Sequence, residues 1–330
     1  MYPLLGCAVI ADRLTAYIEE THLKGTVLVF GSINTDLVIY VDNLPAPGET
    51  VTGGKFMSFP GGKGANQAVA AARAGAEVEM FGCLGDDTLA RERMMDLRNA
   101  GVSTQNITMK AGIHSGIAQI MVDKRGENAI AVAPGANSLF SLGDITLPEH
   151  PEGEGIVALF QNEIPQASTE ATIRECKKRE MLVLWNMAPA CHEKPSRETL
   201  GVVDFVICNR PELIALVGEG DNENLAHVLR SWGATNVVVT LGEKGSLLVT
   251  DQEAYYQQAF PVDVVDTVGT GDCFCGVFAC SLSSGMSVKQ SLRRASAAAA
   301  LSAIARGAQT SMPSADEIDR FLSASRATRQ

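Results

Sequence analysis

Thr26-Val27-Leu28-Val29-Phe30-Gly31 is a β-branched and apolar run that stops at a glycine, and its neighbours decide the fold. The next segment with a helical pattern is the Ala-rich stretch Ala65 to Ala74, closed by Gly75, and Val78 to Cys83 is strand-like again. A strand, a helix and a second strand make the unit of a parallel sheet. The rhythm continues with a charged helical segment from Leu89 to Asn99, stopped by Gly101. Ile156 to Phe160 is strand-like and Ala167 to Glu180 helical, and Met181 to Trp185, Val202 to Cys208 and Asn236 to Leu241 are further strands. The alternation predicts an α/β fold, a mainly parallel sheet with helices on both faces.

Two segments break this rhythm. Residues 37–59 alternate and are rich in Gly, Pro and Thr. Residues 116–133 hold two apolar runs around the turn-like Asp123-Lys124-Arg125-Gly126-Glu127, the pattern of a hairpin. Together they predict a small β lid over the carboxyl edge of the main sheet. No repeat or low-complexity linker divides the chain, which reads as a 1–24 extension followed by one α/β domain over 25–330.

At 330 residues with 46% apolar and 20% charged content, the chain can bury a core without disulfides or metals. The net charge of −11 argues against nucleic-acid and anionic-membrane partners. It leaves room for a small anion held by local backbone dipoles. No apolar run reaches the ~18 residues of a membrane span. The short apolar start, Met1 to Ile10, lacks a basic leader and soon meets Asp12 and Arg13, so a cytoplasmic protein is expected. The eight cysteines form no C-x-x-C pair, and several sit in apolar runs, as reduced buried thiols do.

Three segments carry chemistry. In the first, Val264-Val265 reads as a strand end leading into Asp266-Thr267-Val268-Gly269-Thr270-Gly271-Asp272, and an apolar helix follows. A helix start offers unpaired N–H groups and a partial positive charge, and glycines let an anion approach them. Asp272 sits where an N-cap is expected, and equally where a general base would stand beside a phosphate-binding turn. The second is Gly61-Gly62-Lys63-Gly64-Ala65-Asn66-Gln67, which matches neither the P-loop nor the dinucleotide fingerprint. The third, Gly31-Ser32-Ile33-Asn34-Thr35-Asp36, follows the first strand at the carboxyl edge, where ligands bind in open α/β sheets. Its Asn34 and Asp36 suit the vicinal hydroxyls of a sugar, though ordinary turn residues would look the same.

Taken together, these segments resemble the ribokinase family of sugar and nucleoside kinases, the PfkB type, from near Gly25 to near Ile318. Pro45 to Gly53, and the tail Arg306-Gly307-Ala308-Gln309 with Ser311 and Pro313, extend the resemblance. It implies a three-layer sandwich with a β-sheet lid, and ATP-dependent phosphorylation of D-ribose at its 5-hydroxyl. Asp272 matches the base, and the amides of Gly269, Thr270 and Gly271 match the anion hole. Asn34, Asp36, Gly61, Gly62, Lys63, Gly64, Ala65, Asn66 and Glu163 match the sugar site. Asn209 and Glu212 match a pair near the phosphates and Mg²⁺, and Thr240, Leu241, Gly242, Glu243, Lys244 and Gly245 match the nucleotide turn. Asp266, Val268, Ser302, Ala305, Gly307 and Ser311 match the site of an activating K⁺, at the end of an Ala295 to Ala305 helix. An exposed lid edge implies a homodimer.

The chain departs from the family in Cys208-Asn209-Arg210-Pro211-Glu212, where a proline precedes the asparagine and a glutamate follows it in relatives, and in Ser296, which replaces a histidine near the adenine. Residues 1–24 have no counterpart. The alternatives are a kinase for deoxyribose or another sugar, or a catalytically silent sugar-binding module.

Overall fold

The computed structural model describes residues 25–148, 155–191 and 193–327. The 1–24 extension and Cys7 lie outside the described residues. Ten strands form one sheet in the order β14-β13-β12-β11-β10-β9-β1-β4-β5, with β6 beside β4. They are β1 (Thr26–Phe30), β4 (Glu77–Gly85), β5 (Val102–Ser103), β6 (Ile107–Lys110), β9 (Ile156–Phe160), β10 (Leu182–Asn186), β11 (Phe205–Asn209), β12 (Asn236–Thr240), β13 (Ser246–Val249) and β14 (Ala254–Gln257). All pairs from β12 to β5 and β6 are parallel, and only the β12-β13 and β13-β14 pairs at one edge are antiparallel, so β13 alone is reversed.

Both faces of this sheet are covered, as a parallel sheet requires. Along β1, Val27 and Val29 join one core cluster while Leu28 and Phe30 join the other. Phe30 is sandwiched between Phe81 and Phe160 of the flanking strands, with ring centroids 4.6 and 4.8 Å away. The first cluster packs on α1 (Lys63–Arg73), α7 (Thr270–Ser283) and α8 (Val288–Ala303). The second takes in residues of α3 (Gln166–Lys178), the short α4 (Arg197–Leu200), α5 (Arg210–Val217) and α6 (Asn222–Ser231). The remaining helices are α2 (Thr88–Asn99), capped by the Asp87 side chain, the short α9 (Ala308–Ser311) and α10 (Ala315–Ala327). The described cysteines are unpaired thiols, and burial pushes Cys273 up to about 12, so it stays protonated.

The interrupting segments form a separate sheet, β3-β2-β7-β8, from β2 (Asn34–Val41), β3 (Lys55–Gly61), β7 (Gly116–Asp123) and β8 (Asn128–Ala133). The hairpin at 116–133 is present, and β2 grows directly out of the turn after β1.

Four sequence expectations change. Val264 and Val265 are not a strand: no neighbouring strand is available, and the N–H groups of Val265 and Asp266 instead donate to the Ala303 carbonyl at the end of α8. The strand expected from Val202 begins at Phe205, because the Val202 and Val203 amides close the turn after α4 by donating to Thr199 and Leu200. The helix expected at 295–305 starts earlier, at Val288, where Ser287 and Gln290 form a capping box, and ends at Ala303. Asp272 is not an N-cap. Gly269 occupies that position with φ 76°, a left-handed conformation that glycine adopts without strain, and Asp272 is the third helical residue.

Candidate active site

Position in α7 frees the Asp272 carboxylate from capping and turns it toward α1. Asn66 Nδ2 donates to its Oδ2 and Gln67 Nε2 to its Oδ1, both at 2.9 Å. The two helices come this close because α7 carries Gly276 at their crossing, where a Cβ would lie 2.4 Å from the Gln67 carbonyl oxygen. One turn before that contact, Asp272 meets Asn66 and Gln67. All three side chains are buried, Gln67 completely.

The start of α7 is where the anion hole is expected. The Thr270 N–H, expected in the anion hole, donates to the Thr267 carbonyl at 3.2 Å. The first intrahelical bond runs from Cys273 N–H to the Gly269 carbonyl at 2.8 Å. That leaves the amides of Gly269, Gly271 and Asp272 without a bond among the described residues, at the positive end of the helix dipole. They border a cleft of about 790 Å³ together with Lys63, Asn209, Glu212 and the Thr240–Lys244 loop. An adjoining, more apolar hollow of about 480 Å³ shares the wall at Thr240, Gly242, Thr270 and Gly271. Phe260, Phe274, Ala299, Ala300, Gly245 and Ser296 line it, so an apolar hollow adjoins a more polar cleft.

The sugar-site candidates gather on the other side of Asp272. Glu163 Oε2 accepts the Lys63 backbone N–H at 3.0 Å and also the Ser32 hydroxyl, which ties the turn after β1 to the start of α1. Asp36, on β2, faces Gly61 on β3, where an added Cβ would lie 2.2 Å from its carboxylate. Burial, then the nearby Glu163 charge, pushes the Asp36 carboxyl up to about 6, with Arg93 opposing and Asp272 adding to the rise. The Lys63 ammonium is held above its ordinary value chiefly by Asp272, against burial, with help from Glu163 and Glu212. Burial raises Glu212, opposed by the Asn209 N–H and Lys63.

Asn209 and Glu212 form a reciprocal capping box at the start of α5. Asn209 Oδ1 accepts from the Glu212 N–H and Glu212 Oε2 from the Asn209 N–H, each at 2.8 Å. Arg210 lines the same cleft and donates to the Asn222 side chain. The cation-site candidates sit behind the α7 start: Asp266 Oδ1 accepts from the Val268 N–H and Oδ2 from the Gly307 N–H, both at 3.0 Å. Ser302 and Ala305 flank the end of α8, and Ser311 closes α9.

Several buried amides at the site were given no role from the sequence. Asn137, in a short turn after β8, donates to Asn34 Oδ1 at 2.8 Å and accepts the Ile33 N–H at 3.0 Å. Asn186 accepts from Gln67 Nε2 at 2.9 Å, and Gln309 donates to Asn66 Oδ1 at 3.1 Å. No spacing distinguishes these amides from surface ones; their burial is the only signal, and it is tertiary.

This arrangement, a helix-start anion site beside a buried carboxylate and a polar small-ligand cluster, is that of a phosphoryl-transfer enzyme. The family model described as pfkB family carbohydrate kinase matches residues 24–315. A ribokinase of Haemophilus influenzae is 35% identical over 305 residues, 91% of this chain and 99% of its own. A deoxyribokinase of Salmonella typhi is 33% identical over 302 residues, 90% of this chain and 98% of its own. The structure of Arabidopsis thaliana ribokinase complexed with ribose and ATP aligns with a TM-score of 0.81 at 29% identity, covering 91% of this chain and 99% of that one. The chain belongs to the pfkB family of carbohydrate kinases. The resemblance drawn from its motifs, the ribokinase-like α/β fold and the class of carbohydrate kinase are borne out. Among the described residues, no helix is long and apolar enough to cross a membrane.

Proposed function

We propose that this kinase transfers the γ-phosphoryl group of ATP to the 5-hydroxyl of D-ribose, giving D-ribose 5-phosphate and ADP. One observation carries the reading: Asn66, from the sugar-site motif, is hydrogen-bonded to Asp272 beside the unpaired amides of the α7 start. A sugar held by Asn34, Asp36, Lys63, Asn66 and Glu163 then has a hydroxyl within reach of both the base and the transferring group. Asp272 takes the proton as the hydroxyl oxygen bonds to phosphorus and the bond to the ADP oxygen breaks. The amides of Gly269, Gly271 and Asp272 meet the charge on the equatorial oxygens. Thr240–Gly245 and Ser296 border the nucleotide's place, its base in the apolar hollow. The β3-β2-β7-β8 sheet acts as the lid and excludes water.

Mg²⁺ and K⁺ fit the residues present. The capping box occupies one Glu212 oxygen and leaves the other at the cleft, which suits a cation that keeps most of its waters. When bound, Mg²⁺ neutralises phosphate charge. For K⁺, the Asp266 carboxylate and the carbonyls of Val268, Ser302, Ala305, Gly307 and Ser311 would supply an all-oxygen donor set, which suits a hard cation. Asp266 already joins the two loops that would supply it.

A homodimer through the lid is also proposed. Strand register places Asp36, Tyr40, Ile130 and Val132 on one face of the small sheet. Tyr40, Ile130 and Val132 are 42%, 57% and 55% exposed, an apolar surface suited to a second copy. Light scattering at micromolar concentration that showed only monomer would count against it. The protein is expected to work in the cytoplasm.

The similarity to a deoxyribokinase favours a second reading, the same chemistry on 2-deoxyribose. ADP release with ATP and Mg²⁺ separates the two, with ribose, 2-deoxyribose and fructose as acceptors, each with and without K⁺. Ribose-dependent turnover raised by K⁺ supports the reading. Turnover on deoxyribose alone moves the specificity, and ribose binding without turnover on any sugar leaves a silent binding module.

A further inference from the structure

Behind Asp272 lies a chain of buried amides, Gln161, Gln67 and Asn186, of which only Asn186 borders the cleft. Gln67 Nε2 donates to both Asp272 Oδ1 and Asn186 Oδ1, each at 2.9 Å. Gln67 Oε1 accepts from Gln161 Nε2 at 2.8 Å, and Asn186 Nδ2 donates to the Ile207 carbonyl at 3.1 Å. Gln67 and Gln161 are completely buried and Asn186 nearly so.

The direction of every amide in this chain is dictated from one end. The Ile207 carbonyl can only accept, so the Asn186 NH₂ must face it and the Asn186 oxygen must face Gln67. Gln67 then has to present its NH₂ to Asn186, and the same NH₂ has its second hydrogen for Asp272. Its oxygen is left to Gln161, which turns its own NH₂ inward. That ordering leaves Gln161 Oε1 buried with no partner. A buried acceptor without a bond is unfavourable. Its presence shows that the orientation of Gln67 prevails over the full satisfaction of Gln161.

We propose that Gln67 is a positioning residue for phosphoryl transfer. Anchored through Asn186 to the backbone of β11 and backed by Gln161, it fixes the rotation of the Asp272 carboxylate, so that one oxygen stays aimed at the sugar hydroxyl. Asn66 alone leaves the carboxylate free to pivot about that single bond. Gln67 acts only through Asp272 and makes no contact with sugar or nucleotide. The inference rests on the reading of Asp272 as the base.

Gln67→Leu, Asp272→Asn and the double variant test it, with kcat from ADP release, ribose affinity from titration calorimetry and thermal unfolding as a fold check. Gln67→Leu is expected to lower kcat about 10- to 100-fold while ribose affinity stays within about threefold. In the Asp272→Asn background it should cost less than about twofold more, because the group it positions is gone. Gln161→Met, which leaves every contact of Asp272 intact, should lower kcat about three- to tenfold, and it carries the test if Gln67→Leu does not fold. Wild-type kcat in both Gln67→Leu and Gln161→Met, or losses that multiply in the double variant, would overturn the positioning role while Asp272 stands. Full turnover in Asp272→Asn would instead remove the base itself, and the inference with it.

Discussion

Asn66 and Asp272, 206 positions apart in the chain, are joined by a 2.9 Å hydrogen bond from Nδ2 to Oδ2. The same Asn66 accepts from Gln309 Nε2, and Arg73 on the same helix donates to the Gln309 and Met312 carbonyls. One face of α1 thus fastens both the carboxylate and the segment after Gly307. Asn66→Leu should therefore lower kcat/KM at least about 100-fold, with effects on both KM and kcat. Steady-state kinetics showing a change in KM alone would mean that Asn66 contacts sugar without supporting Asp272.

With Asp36 in the proposed sugar site, sugar binding is expected to depend on pH. Its carboxyl is pushed up to about 6 by burial and by Glu163, and only the ionised form accepts two sugar hydroxyls. Affinity for ribose is expected to be full near pH 8 and about tenfold weaker at pH 5. The sign for stability is opposite. A carboxyl raised above its unfolded value contributes stability that is fully present below about pH 4 and is lost as pH rises through about 6. Asp36→Asn should gain about 1–3 kcal/mol at pH 7 while losing sugar affinity. Urea unfolding that found this variant less stable than wild type at pH 7 would contradict the assignment.

Gly276 sets the spacing between α1 and α7. The atom a Cβ would meet at 2.4 Å is a backbone oxygen, which no rotamer change can move. Gly276→Ala is expected to destabilise the fold by about 1–3 kcal/mol and to lower turnover by displacing Asp272 from Asn66 and Gln67. An unchanged midpoint in urea with unchanged kcat would show that the crossing relaxes freely.

The Phe81-Phe30-Phe160 stack spans three adjacent strands on one face of the sheet. Phe30→Ala removes its centre from a fully buried position, and a loss of about 3–5 kcal/mol follows from the lost contacts and the cavity. Turnover at low temperature should survive, since Phe30 lies in the cluster opposite to α1 and α7. A loss under 1 kcal/mol in urea unfolding would mean that the core closes around the gap.

The strand from Thr26 to Phe30, the α/β alternation, the 116–133 hairpin and the glycine turn before Asp272 were all legible from local composition, because periodicity and turn chemistry act over a few residues. Those same rules misplaced Val264 and Val265. Two β-branched residues look like a strand, but a strand exists only where another lies alongside, and here the partner of Val265 is a helix end. The motifs also marked Asp272 and Asn66, and the family resemblance added Glu163. Their local context left Asp272 as an N-cap candidate, and only the observed φ of Gly269 moved that cap three residues away.

Gln161 and Asn137 carried no local signal at all, and Gln67, Asn186 and Gln309 stood in family-like runs with no role given to them. An amide in sequence is an ordinary polar residue, and what makes it functional is burial against a specific partner. Sequence alone determined the parallel α/β layering, the glycine turn before α7 and the polar residue types gathered around Asp272. The tertiary structure decided which of them touch. A hydrogen bond across hundreds of positions depends on how closely two helices cross, and that distance is set by packing around Gly276 rather than by any local preference.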